Sequence, residues 1–280
     1  VMFSTADDAI VDPNWLTAMI DPFPASPDVA ATTGIALPLE ERYKPQRWFE
    51  SRGGFPKDMK PRVWCAGDMP EGLEALGEKG EGGPLFPITT ARVGAGVGMA
   101  MRRDVLMEVG PFDPALGAGT STRGGEDLDM FARILATRDV IIHTPDALVH
   151  HRHRVDEAGL DKQIRGNGSG MAALLTKAII EKPSVLCTLV GRIPGILKHI
   201  KPGGARVAGR DDDTPGSLTR TEIKGFLEGP FLYLSSRRSN RLAPLHPADE
   251  PEVDATAQNS ADAAPASSEE RGTPEGNTSA

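Results

Sequence analysis

Two cysteines in 280 residues, Cys65 and Cys187, are too few and too far apart for a disulfide framework or a C-x-x-C metal site. Both are expected to be free thiols of a reducing compartment. No apolar run reaches the roughly 18 residues that a membrane-spanning helix needs. The start of the chain lacks the basic segment and apolar stretch of a signal peptide, and position 1 is Val rather than an initiating Met. An excess of basic charge is missing too. Lys and Arg number 31 against 39 Asp and Glu, a net charge of −8, which argues against a general nucleic-acid binder. From about Asn240 large apolar residues run out, with none after Val253, so 240–280 reads as a disordered acidic tail. The 39% hydrophobic residues permit a sizeable core, while 31 Gly and 24 Pro place much of the chain in loops.

The stretch Thr122–Met130 (TRGGEDLDM) organises the rest. Two glycines free the backbone, and Glu126 and Asp127 then open an amphipathic helix with Leu128, Phe131, Ile134 and Leu135 on one face. Acids at a helix N-terminus satisfy free N–H groups and oppose the macrodipole. Behind a glycine loop they are equally the place for a catalytic carboxylate facing a substrate.

Upstream, Val1–Thr5 reads as a buried strand running into Asp7 and Asp8, a carboxylate pair at a strand end of the kind that presents oxygen ligands to hard divalent cations. A short helix capped by Asp12 and Pro13 follows to about Ile20. Val29–Leu37 is a second buried strand, and Glu40–Arg52 a surface helix that Pro45 kinks or starts late. Residues 53–90 show no period and are expected to loop over a site or towards an acceptor. In Val93–Met101 the glycines are spaced Gly94, Gly96, Gly98, which is not a dinucleotide fingerprint. A strand closely approached by a ligand or another backbone fits better. A helix over 103–109 leads to the central stretch. Val140–His143 and Ala147–His153 read as two strands, the second ending in three histidines, with His151 and His153 on one face and His150 on the other. Asp156–Ile180 is expected to be a helix interrupted by Gly166, Gly168 and Gly170. Thr219–Arg238 is an amphipathic segment carrying Phe226, Phe231 and Leu234. The basic and apolar stretch 172–201 is a solvated amphipathic face or a peripheral membrane contact.

The order of these motifs resembles the family 2 glycosyltransferases of the GT-A fold. The residues that carry the likeness are Phe3–Asp8 with Pro13 and Trp15, Val93–Arg102, Gly110–Asp113, Gly124–Asp129 and His150–His153. It covers about residues 1–175 and fades towards 238. It implies an α/β fold, a GT-A-like (Rossmann-like) mixed sheet flanked by helices. A partial glycosyltransferase domain would occupy 1–155 and a helical extension 156–239, with the nucleotide-binding units preceding residue 1. The implied activity is inverting transfer of a sugar from a nucleotide-sugar donor, a UDP-sugar first among them, to a hydroxyl of a glycan or lipid-linked acceptor. Asp127 would be the base with Glu126 beside it. A divalent cation, Mn2+ or Mg2+, would be held by Asp7 or Asp8 with His151, and Gly96, Gly98, Arg123, Gly124 and Gly125 would touch substrate. The family's paired acids are reduced to one here: either Thr5 or Ala6 stands where the first acid belongs. A non-catalytic carbohydrate- or partner-binding module on the same fold is therefore the alternative. A cytoplasmic protein, peripheral at the inner membrane face, is the implied location.

Overall fold

The computed structural model describes residues 1–137, 139–195 and 214–242, the last two of these by backbone only. The expected tail, and the part of the 172–201 stretch beyond residue 195, lie outside the described residues. Val1–Leu242 form one compact unit. It is a mixed α/β fold, a central sheet flanked by helices.

The strands are β1 (Met2–Thr5), β2 (Ala9–Val11), β3 (Val29–Pro38), β4 (Arg62–Trp64), β5 (Glu78–Lys79), β6 (Gly98–Met101) and β7 (Val140–His151). Their order is β1-β6-β3-β7-β4-β5, with β2 also pairing β7. The parallel pair β3–β7 sits at the centre, and the pairings to β6, β4 and β2 are antiparallel. β3 is buried along its first eight residues, as expected of a strand covered on both faces. β1, by contrast, is only half-buried, because it pairs on one side, with β6. The helices are α1 (Trp15–Ile20), α2 (Lys44–Ser51), α3 (Arg103–Val109), α4 (Glu126–Ala136), α5 (Glu157–Glu181), α6 (Ser184–Gly191) and α7 (Gly216–Leu242).

Alternation along the strands divides the core into two layers. Val140, Ile142, Ala147 and Val149 of β7 join Trp15, Met19 and Phe23 on one face. Ile141, with Ala31, Met99 and Met101, meets Met130, Phe131, Ile134 and Leu135 of α4 on the other. Leu128, expected on that apolar face, is only half-buried and borders a cleft. The segment 53–90 is not wholly irregular, since β4 joins the sheet beside β7.

Three sequence expectations change in the fold. Val140–His143 and Ala147–His153 are one strand, β7, and His153 lies beyond its end. The turn-like Thr144–Pro145–Asp146 is absorbed as an irregularity opposite Gly34, where the register jumps from Thr33↔His143 to Ile35↔Leu148. A Cβ at Gly34 would lie 2.0 Å from the Ala147 carbonyl oxygen, so only glycine admits this approach. The second change is α2, which starts at Lys44 rather than Glu40. Pro45 sits in its first turn, and Gln46 reaches back to accept from the Tyr43 N–H at 3.0 Å.

Thirdly, the glycines of α5 do not interrupt it: 157–181 is continuous, capped by Asp156. They are contact points. A Cβ at Gly168 would lie 2.2 Å from the Glu222 carbonyl oxygen, and one at Gly225 2.1 Å from that of Arg165. Two long helices thus approach backbone to backbone along a seam of small residues. On α7 the buried residues are Leu218, Tyr233 and Ser236, whereas Phe226, Phe231 and Leu234 are exposed, the reverse of the expected amphipathic face. Among the described residues no helix is long and apolar enough to cross a membrane. Within 172–201, Ala172, Ala173, Leu174 and Lys177 are buried in protein, while Leu186, Val190 and Ile193 are exposed.

Candidate active site

The loop before α4 is tied down from several directions. Thr122 Oγ1 donates to the Ala115 carbonyl (3.2 Å), the Gly117 N–H donates to the Gly124 carbonyl (3.3 Å), and Ser169 Oγ of α5 donates to the Thr122 carbonyl (2.7 Å). Gly125 caps α4 at φ 94°, and a Cβ there would sit 2.7 Å from the Gly170 carbonyl oxygen, so position 125 requires glycine twice over. Arg123 also adopts a left-handed φ, 61°, which is strained for a side chain of its size.

This loop delivers Asp127 to its place. Oδ2 accepts the Gly96 N–H at 2.9 Å and Oδ1 its neighbour Leu128 N–H at 2.8 Å. Loss of water around the carboxylate outweighs these bonds and pushes its pKa above the usual range. Glu126 is also raised, first by burial and then by the charge of Asp127, against N–H groups that include Ala118. A carboxylate oxygen has two acceptor sites, so each Asp127 oxygen keeps one for a substrate hydroxyl.

Asp129, two residues on, has a different task. It is buried in an ion network with Lys177 Nζ at 2.8 Å and Arg133 Nε at 2.9 Å. Lys177 also reaches Asp113 at 3.2 Å, whose Oδ2 accepts from the Tyr233 hydroxyl at 3.1 Å. Burial and the Asp113 charge push the Tyr233 phenol well above its ordinary value. The network ties α4, α5, α7 and the turn at 113 together. Lys177, one of the basic residues expected on a solvated face, is thus an internal ion.

A second cluster forms where β2 meets the end of β7. Asp8 Oδ1 lies 3.1 Å from His151 Nε2, His151 Nδ1 lies 3.2 Å from His153 Nδ1, and His153 Nε2 lies 2.7 Å from Glu50 Oε1, which is ion-paired with Lys57. Both rings are buried, which lowers their pKa values, that of His153 to about 4. Hydrogen-bond direction follows from the Glu50 end. A carboxylate only accepts, so His153 Nε2 carries the proton and its Nδ1 accepts from His151 Nδ1–H. His151 Nε2 is then a lone pair facing the carboxylate of Asp8.

That apposition is unfavourable by itself and favourable around a cation. Two ligands about 2.1 Å from one ion, at a right angle, stand roughly 3.0 Å apart. Asp8 and His151 therefore fit a divalent cation as a two-donor site of the kind that substrate phosphates complete. Asp7, the other expected ligand, is exposed and has no such neighbour. Among the described residues no group of three or more His, Cys, Asp or Glu is arranged to hold a metal.

A cleft of about 1730 Å³ connects these features. Glu126, Asp127, Arg123, Gly124 and Gly125 line one side. Glu50, Phe55 and Lys57 line another, and Phe55 stands edge-on to His151 with ring centroids 5.0 Å apart. Arg92, Arg154 and Lys162 add positive charge around it. Two glycines expected to touch substrate do otherwise. Gly96 holds Asp127, and a Cβ there would lie 3.3 Å from the Asp127 Cβ. Gly98 is buried in β6 against Val149, within 3.4 Å for an added Cβ, and does not reach the cleft.

Glu50, Lys57, Arg92, Arg154 and Lys162 were not singled out from the sequence. Each sits in a stretch whose composition is that of any polar surface, and nothing local marks them. Arg154 alone had a signal, as the residue following the histidine run.

No protein family, curated protein or solved structure matches the chain.

Proposed function

We propose that this chain is an inverting glycosyltransferase of the family 2, GT-A type, or the acceptor-side part of one. It would transfer a sugar from a nucleotide donor such as a UDP-sugar to the hydroxyl of a glycan or lipid-linked acceptor. The observation that carries the reading is Asp127: a carboxylate at a helix N-terminus, held by two backbone N–H groups, raised in pKa, and lining a large cleft beside cationic side chains. A raised carboxylate is a stronger base once ionised and is matched to taking a proton from a hydroxyl near neutral pH.

In the proposed step an Asp127 oxygen accepts the proton of the acceptor hydroxyl. The hydroxyl oxygen bonds to the anomeric carbon from the face opposite the leaving group, and the bond from that carbon to the diphosphate oxygen breaks with its electron pair. The anomeric configuration inverts, as in inverting glycosidases with a sugar hydroxyl in place of water. Asp8 and His151 would hold the divalent cation, Mn2+ or Mg2+, whose contribution is to neutralise charge on the departing nucleoside diphosphate. Arg92, Arg123, Arg154 and Lys162 would favour anionic donors entering the cleft.

The test is release of nucleoside diphosphate from a panel of nucleotide sugars with Mn2+ or Mg2+, on this chain and on the full product of the gene. Turnover that Asp127→Asn abolishes while nucleotide binding persists supports the transferase. A second reading, a non-catalytic carbohydrate-binding module, draws on the exposed position of Asp7 and the two-donor metal site. Sugar binding with no turnover in any form would favour it.

A further inference from the structure

We infer that the cleft wall built by Arg123, Gln163 and Phe226 is a binding subsite for a hexose-like sugar ring. Its assignment as the acceptor sugar rests on the transferase reading above.

Arg123 Nη1 and Gln163 Oε1 are both buried, and among the described residues neither has a hydrogen-bond partner. Both residues line the cleft. They are also close in the fold: Gly166 of α5 comes so near the base of Arg123 that an added Cβ would lie 3.2 Å from the Arg123 Cβ. Gln163 stands one helical turn before Gly166 on the same face. The wall therefore offers a donor and an acceptor that the protein leaves unanswered, an arrangement that costs stability unless a ligand answers it.

The chemistry of that ligand is constrained. Arg123 Nη1 only donates, so it needs an acceptor, and Gln163 Oε1 needs a donor. A phosphate or carboxylate supplies acceptors alone and would meet Glu126, Asp127 and Glu222 in the same cleft. An apolar ligand answers neither atom. Neighbouring hydroxyls of a sugar both accept and donate, and they do so whichever way the Gln163 amide is turned. The sugar's C–H face has a counterpart as well. Ile223 and Phe226 of α7 line the cleft and remain 54% and 44% exposed. The strained φ of Arg123, at 61° in a loop tied down on every side, has the character of a ligand clamp.

The experiment is saturation-transfer NMR and titration of the purified protein with methyl α-D-mannopyranoside, methyl β-D-glucopyranoside and methyl β-D-galactopyranoside, with inorganic phosphate as the contrasting probe. At least one glycoside should bind, and binding should weaken tenfold or more in Arg123→Gly and in Gln163→Leu. Arg123→Gly should melt at the same or a higher temperature, because glycine takes this φ freely, so lost binding in that variant is not lost folding. Phe226→Ala should remove the transfer signal from the ring C–H protons. The inference is overturned if no glycoside binds the folded protein, if the variants bind as the parent does, or if phosphate binds at Arg123 and glycosides do not. Glycosides that ignore both variants, beside turnover that needs Asp127, would remove the subsite alone. Glycoside binding lost in Arg123→Gly, with no nucleotide-sugar turnover in any form, would leave the subsite and remove the transferase.

Discussion

Asp127 and Asp129 stand two residues apart on α4 and live in opposite surroundings. Asp127 is held by neutral N–H groups of Gly96 and Leu128 at the rim of a cleft. Asp129 is buried against Lys177 and Arg133 and touches no opening. The first is an acid in an environment that resists its charge, the second a charge fully answered by its partners. The comparison teaches that one motif supplies both a reactive group and the anchor that keeps it in place. Function and stability are divided between adjacent turns of the same helix.

Replacing the two acids should therefore have opposite consequences. Asp127→Asn should lower turnover by about 10²–10⁴-fold, the usual range for a lost general base, measured as nucleoside diphosphate release. Its thermal midpoint should stay level or rise. The folded pKa of Asp127 lies above the unfolded one, so at neutral pH the fold bears the cost of ionising a buried carboxyl that Asn does not carry. A large fall in midpoint with unchanged turnover would reverse the assignment of the two acids.

Lys177→Met strands Asp129 and Asp113 with less positive charge and should cost about 3–5 kcal/mol, read from urea unfolding. The double variant with Asp129→Asn should recover part of that loss, because the charges then leave together. Independent, additive losses would mean that the network is not coupled.

Gly168→Ala tests the frame that both acids depend on. Its Cβ would meet the Glu222 carbonyl oxygen at 2.2 Å, so α5 and α7 must separate, at a cost of about 1–3 kcal/mol. Gly119→Ala, with nothing within 4 Å, is the matched control and should be nearly silent.

Glu50→Gln should act on the metal rather than on the fold. With Glu50 no longer obliging His153 Nε2 to donate, the proton order through His153 and His151 is no longer imposed. Mn2+ affinity, followed by titration, should fall about tenfold.

The smallest effect is a pH dependence. His153 has its pKa lowered by burial from 6.5 to about 4, so between those values the unfolded chain takes up a proton that the fold refuses. Its contribution is complete above about pH 6.5 and is lost as pH falls towards 4, at no more than about 1.4 kcal/mol per pH unit. Comparing urea midpoints of the parent and His153→Gln across that window isolates it.

Much of this was legible because it is local. The glycine pair before Glu126, the apolar spacing of Phe131, Ile134 and Leu135, and the shared face of His151 and His153 depend on neighbours within a turn or a strand. Gly166, Gly168 and Gly170 misled because a glycine written as a break in a helix is indistinguishable, in sequence, from one that lets another backbone approach. Phe226 and Phe231 misled for a related reason: α7 meets α5 through glycines and alanines, which leaves its large side chains outside.

The sequence by itself determined the periodic elements, the position of the acids at the head of α4 and the paired histidines, because backbone geometry turns spacing into direction. Only the tertiary structure decided which acid faces the cleft and which is locked to Lys177, and that Asp8 rather than Asp7 meets His151. It alone set Glu50 behind His153. Those choices bring together residues as far apart as 8 and 151 or 50 and 153, and their burial and partners are properties of the packed chain that no local pattern encodes.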